Sequence, residues 1–96
     1  MSNPHRAEAQ RTLSELLRTL RAHPNREALA PVIDLCEQLE RSIQAFHLEA
    51  IRFRMFTLSR QLHRPELGLP GEALALFDAL RQALEAAGFQ TRSVTS

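Results

Sequence analysis

Tryptophan and tyrosine are missing from this 96-residue chain, and five phenylalanines are its only aromatic residues. The best stacking platforms for unpaired bases, and two of the side chains that most often anchor protein interfaces, are therefore absent. Lysine is missing as well: all 12 basic residues are arginine. Alongside the wealth of Leu and Ala, that pattern reads as the coding bias of a GC-rich prokaryotic genome rather than as recognition chemistry. The formal net charge is only +1, far from the strongly basic balance of a dedicated nucleic-acid binder. The single cysteine, Cys36, has no partner for an internal disulfide and falls among apolar positions, as a small buried hydrophobe would. Three glycines, Gly68, Gly71 and Gly88, serve turns or caps, and none builds a phosphate-cradling loop. No run approaches the ~18–20 apolar residues of a membrane span. The first residues lead straight into polar sequence, without the apolar core of a signal peptide. The expected setting is the cytoplasm, with no membrane partner.

What is present is helical. Pro4 suits a first helical position, with Asn3 before it as cap. Ala9, Leu13, Leu16, Leu17 and Leu20 then share one face. His23 and Pro24 should end this first helix, predicted over about 4–23. Asn25 can cap a turn, and Pro31 is expected to open the next helix rather than to kink a longer one.

From Pro31 to His63 there is no internal Pro or Gly, so one helix of roughly 50 Å is predicted. Val32, Leu35, Cys36, Leu39, Ile43, Phe46, Ala50, Phe53 and Thr57 form a first stripe along its whole length. Leu48, Ile51, Met55, Leu58 and Leu62 form a second stripe on its later half alone. Arg64 to Gly71 is a Pro- and Gly-punctuated loop. A third helix is predicted over about 70–87, with Ala73, Leu76, Phe77, Leu80, Ala83, Leu84 and Ala87 inward. Gly88 followed by Phe89 reads as a Schellman stop, the phenylalanine folding back on the last turn. Residues 90–96 read as a polar, frayed tail.

The expected fold class is all-α: one domain over 1–96, of three antiparallel helices with a long central one. The third helix would cover the second stripe. The first helix is too short to cover the whole first stripe, and an uncovered apolar strip is disfavoured on a soluble chain. The central helix is thus expected to pair with a second copy into a C2 helical-bundle dimer. Its self-association interface would be Leu39, Ile43, Phe46, Ala50 and Phe53.

Candidate sites are sparse. His5, His23, His47 and His63 are scattered, and only His5–Glu8 has the spacing of a helical metal ligand pair. A metal or ligand site at the dimer interface is a minor alternative, and no metal ligand or cofactor-binding residue is nominated. Cys36 lacks a base beside it, and no Ser/His/Asp set stands out, so no catalytic residue is nominated and an enzyme is not expected. Glu37 and Glu40 are read as surface acids, Glu37 paired with Arg41. From Ala50 to Arg64 four arginines (Arg52, Arg54, Arg60, Arg64) and His63 occur with no acid. This basic segment over 52–64 is the basis of a second alternative, a dimer that binds nucleic acid. Phe56 lies in an otherwise polar sector with Arg52, which marks a partner surface of Arg52, Arg54 and Phe56. The favoured expectation is a small protein–protein interaction module, an accessory or regulatory subunit that self-associates through the central helix.

Overall fold

A computed structural model describes residues 4–89. Over these residues the chain forms helices and no strand, in the order α1 Pro4–Arg21, α2 Arg26–Gln44, α3 Leu48–Leu62, a short 3-10 turn Pro65–Leu67, and α4 Gly71–Ala86. The fold is all-α, with four α-helices where three were expected. The Asn3 cap and the 90–96 tail lie outside the described residues.

α1 follows its pattern. Ala9, Leu13, Leu16, Leu17 and Leu20 are all buried, because spacings of three and four keep them on one stripe. The chain leaves the helix at Ala22 and His23. There the His23 imidazole nitrogen Nδ1 accepts the Asn25 backbone N–H at 3.1 Å.

α2 begins five residues before Pro31, so the proline does not open the helix. Asn25 stands at the cap position, yet its side chain makes no cap hydrogen bond. Its carbonyl accepts the Leu29 N–H instead, at 3.2 Å. The extra turn is held by tertiary burial: Leu29 is completely inaccessible to solvent. Pro31 lies exposed within the helix and withdraws one backbone donor from its ladder.

The largest departure from the sequence reading lies at 45–47. The expected continuous helix over 31–63 ends at Gln44 and restarts at Leu48. Phe46 takes a left-handed φ of 59°. Its N–H bonds to the Ile43 carbonyl at 3.2 Å, and the His47 N–H bonds to the Ser42 carbonyl at 3.0 Å. Those two bonds form a complete Schellman stop, with phenylalanine where glycine is usual. α3 then folds against α2. The first stripe is cut in two by the corner. Val32, Cys36, Leu39 and Ile43 stay in the core, while Phe53, beyond the corner, is 63% exposed. The second stripe takes over inside: Ile51, Met55, Leu58 and Leu62 are buried, whereas Leu48 at its head remains 58% exposed.

The partner of α3 is therefore α2 more than α4, with which α3 makes only slight contact. α4 packs chiefly on α1. Leu80, Leu84 and Ala73 of α4 are fully buried. The predicted stop at its end is present. Gly88 has φ 98°, its N–H bonds to the Glu85 carbonyl at 3.0 Å, and the Phe89 N–H reaches the Leu84 carbonyl at 2.9 Å. Phe89 folds back and is buried. Pro70, expected as the first helical residue, occupies the cap position just before it.

The two Schellman stops are joined. The Phe46 and Phe89 rings pack tilted with centroids 5.7 Å apart. The Arg6 guanidinium also lies over the Phe46 ring, 4.2 Å from its centroid. A β-carbon in the left-handed region costs about 1–2 kcal/mol. The ring contact and the cation–π contact each return about 0.5–1.5 kcal/mol, so one end of the bundle holds the strained residue in place.

Candidate functional site: the outer face of helix α3

α3 presents its apolar stripe inward and a second face outward. Residues at 100° intervals put Ile51, Met55, Leu58 and Leu62 in a sector of about 60°, and Glu49, Phe53, Phe56 and Arg60 in another of about 60° roughly opposite. Phe53 is 63% and Phe56 41% exposed. Arg60 lays its guanidinium toward the Phe56 ring, 5.7 Å from the centroid. Glu49 is almost fully solvated and stands 3.8 Å from Arg52. The outer face is thus two phenylalanines in the middle, an acid at the N-terminal end and a base at the C-terminal end. Such charges also suit the helix dipole at both ends.

The residues named for self-association do not form one surface. Leu39 and Ile43 are fully buried within the chain's own core, facing inward because α2 places them on the same stripe as Cys36. Phe46 sits at the corner, half exposed against Phe89 and Arg6. Ala50 is half-buried on α3, and Phe53 lies on the outer face. Of the five, Phe53 alone belongs to that face.

The partner-surface residues separate as well. Phe56 is on the outer face, as its polar sector implied. Arg52 lies at its edge beside Glu49. Arg54 turns the other way, toward α2. Its Nη1 donates to Gln38 Oε1 at 2.5 Å and its Nε to Ser42 Oγ at 3.3 Å. Ser42, the one buried polar residue among the described residues, also donates to the Gln38 carbonyl at 3.0 Å. Arg54 is a clamp between α2 and α3 rather than part of a free basic patch.

Arg64 and His63, at the end of the basic segment, are also engaged. Arg64 donates to Glu66 Oε2 at 2.9 Å and to Gln61 Oε1 at 3.1 Å. The Glu66 carboxyl is held below its usual range by its own backbone N–H and by Arg64. The protonated Nδ1 of His63 donates to the Ser59 carbonyl at 2.8 Å. Glu37, expected beside Arg41, is reached by Arg21 of α1 at 2.6 Å instead, a tie between helices that local spacing could not indicate.

Cys36 is completely buried. Loss of water pushes its thiol up from 9.0 to about 12, and Glu37 and Glu40 add to the rise against an opposing pull from Arg21. A thiol held so firmly protonated is a poor nucleophile. Among the described residues no group of three or more His, Cys, Asp and Glu could hold a metal ion. The surface depressions are open. One of about 470 Å³ lies between the end of α1 and the start of α4, with Glu15, Arg18, His23, Glu72 and Leu76 on its walls. No described helix is long and apolar enough to cross a membrane.

No protein-family model matches the chain, and neither a curated protein nor a solved structure does.

Proposed function

We propose that this chain is a small helical interaction module, an accessory or regulatory subunit that acts by association through the outer face of α3. The observation that carries this reading is the pair Phe53 and Phe56, held exposed side by side on a helix whose inner face already fills the core. A chain with five phenylalanines that leaves two of them on one solvated helical face favours a partner there, because contiguous exposed aromatic surface is uncommon on chains that act alone. The recognition mode that fits is helix against helix, with anchors one turn apart and charges at either end. Self-association and binding of a different protein both use this mode. The basic residues support it less than the aromatics, since Arg54 and Arg64 are occupied within the chain.

The test is binding by purified components. Phe53→Ala/Phe56→Ala should keep the helical circular dichroism and melting behaviour of the parent, because both side chains are largely exposed. It should also lose association, whether measured as self-association or as retention of a partner identified by affinity capture and then purified. A double variant that associates as well as the parent in both measurements sinks the reading.

A further inference from the structure

The outer face of α3 has an order that its composition alone does not convey. Glu49, Phe53, Phe56 and Arg60 are spaced four, three and four residues apart, which is the a/d spacing of a coiled-coil seam. The spacing is symmetric about a point midway between Arg54 and Met55. The charges are antisymmetric about the same point: acid at one end, base at the other. A face of that kind complements itself when a copy is turned end for end. We infer that the occupant of this face is a second copy of the same chain, with the two α3 helices packed antiparallel about a two-fold axis through that midpoint.

The pairing follows residue by residue. Phe53 meets Phe56 of the second copy, and Phe56 meets its Phe53, so four rings form the centre. Glu49 meets Arg60 and Arg60 meets Glu49, closing each end with an ion pair. Both contacts occur twice, as an isologous interface requires. A parallel arrangement would set Glu49 against Glu49 and Arg60 against Arg60, and like charges repel at both ends. The existing geometry is compatible: the Glu49 carboxylate is solvated and 3.8 Å from Arg52, and Arg60 is already extended along Phe56. This dimer differs from the one expected from sequence, which drew on Leu39 and Ile43, residues now inside the core. A seam about three turns long is small, so association falls in the weak class of interfaces that bury less than about 1,200 Å².

The inference rests on the interaction-module reading and is tested separately from it. Sedimentation of the full chain from about 5 to about 500 μM, a span suited to weak interfaces, should show a reversible monomer–dimer equilibrium. Glu49→Arg alone and Arg60→Glu alone should each weaken the dimer by about tenfold, since each turns two attractive pairs into two repulsive ones. An equimolar mixture of the two variants should regain the parent affinity, because in the mixed dimer every 49–60 contact is again between opposite charges. The doubly exchanged chain, E49R/R60E, should also dimerise like the parent. Circular dichroism guards against misfolding, and all four substituted positions are on the exposed face. A chain that remains monomeric across the range overturns the second-copy inference while leaving the module reading to the capture experiment. A dimer indifferent to both charge reversals, or one that the mixture does not restore, overturns it as well. Loss of dimer in Phe53→Ala/Phe56→Ala together with charge rescue supports it.

Discussion

Replacing Phe46 by glycine and by alanine reads the corner between α2 and α3 directly. Both substitutions remove the same ring, and with it the contacts to Phe89 and Arg6. Phe46 is 51% exposed, so its burial contributes only part of the about 1.5–3 kcal/mol of a fully buried ring. Adding about 0.5–1.5 kcal/mol for each of the two ring contacts, the side-chain loss is about 2–4 kcal/mol in both variants. The variants differ in the backbone. At φ 59° alanine retains a β-carbon penalty of about 1–2 kcal/mol that glycine does not have. Glycine's greater freedom in the unfolded chain returns about 0.5–1 kcal/mol of that. The glycine variant should therefore be more stable than the alanine variant by up to about 1 kcal/mol, or about 4–8 °C in Tm per kcal/mol for a chain of this size. In a continuous helix the order is reversed, with alanine favoured by about 0.8–1 kcal/mol. Urea unfolding followed at 222 nm, with matched m-values, decides the sign. If Phe46→Ala is instead the more stable of the two, the chain does not turn the corner here and the packing of α3 on α2 is wrong.

Two other measurements address the core of α2. Pro31→Ala restores a backbone donor to an exposed helical position and should stabilise the fold by about 1–2 kcal/mol, seen as a higher urea midpoint; a lower midpoint would mean that the helix does not extend upstream to Arg26. Cys36 sets the alkaline limb of stability. Its thiol is pushed from 9.0 to about 12 in the folded chain, so above pH 9 the unfolded chain releases this proton first and the folded state holds more protons. Stability then falls as pH rises through 9 to 12, by about 2 kcal/mol at pH 10.5, and this contribution is absent below pH 9. With no tyrosine and no lysine in the chain, no other side chain ordinarily titrates between pH 9 and 11.5. Cys36→Ala should flatten the slope even though it lowers stability at neutral pH, and an unchanged slope would refute the burial.

The sequence carries much of this architecture in legible form. The spacing in α1, the inward face of α4 and the Gly88–Phe89 stop all appear as read, because each is a local pattern that tertiary packing reinforces. The corner at Phe46 was hidden because no glycine or proline marks it. Its left-handed backbone is stabilised by a ring and a guanidinium that lie far away in sequence, at Phe89 and Arg6. One signal was nonetheless present: the apolar face changes sector near residue 45. A change of buried sector within one apparent helix is what a chain does when it turns and meets a new neighbour. Pro31 misled for the converse reason, since burial of Leu29 outweighs the missing donor. The exposure of Phe56 is legible because its sector is otherwise polar. Leu39 and Ile43 belong on a surface only if the helix is straight, with nothing in the chain long enough to cover them. Arg54 could not be placed from spacing, because its partners Gln38 and Ser42 belong to another helix.

The packing of α4 on α1 has a consequence for how the chain comes into being. Among the described helices, α1 finds its principal partner in α4, the one most distant from it in sequence. The α2–α3 hairpin joins neighbours in sequence and can close early, at little entropic cost. The surface that α1 shares with α4 must wait until the final turns of α4 have left the ribosome. During that interval the part of α1 that α4 covers stays open to chaperones or to another nascent chain. A truncation before Gly71 would prolong that exposed state indefinitely, so α4 governs solubility as much as it completes the fold.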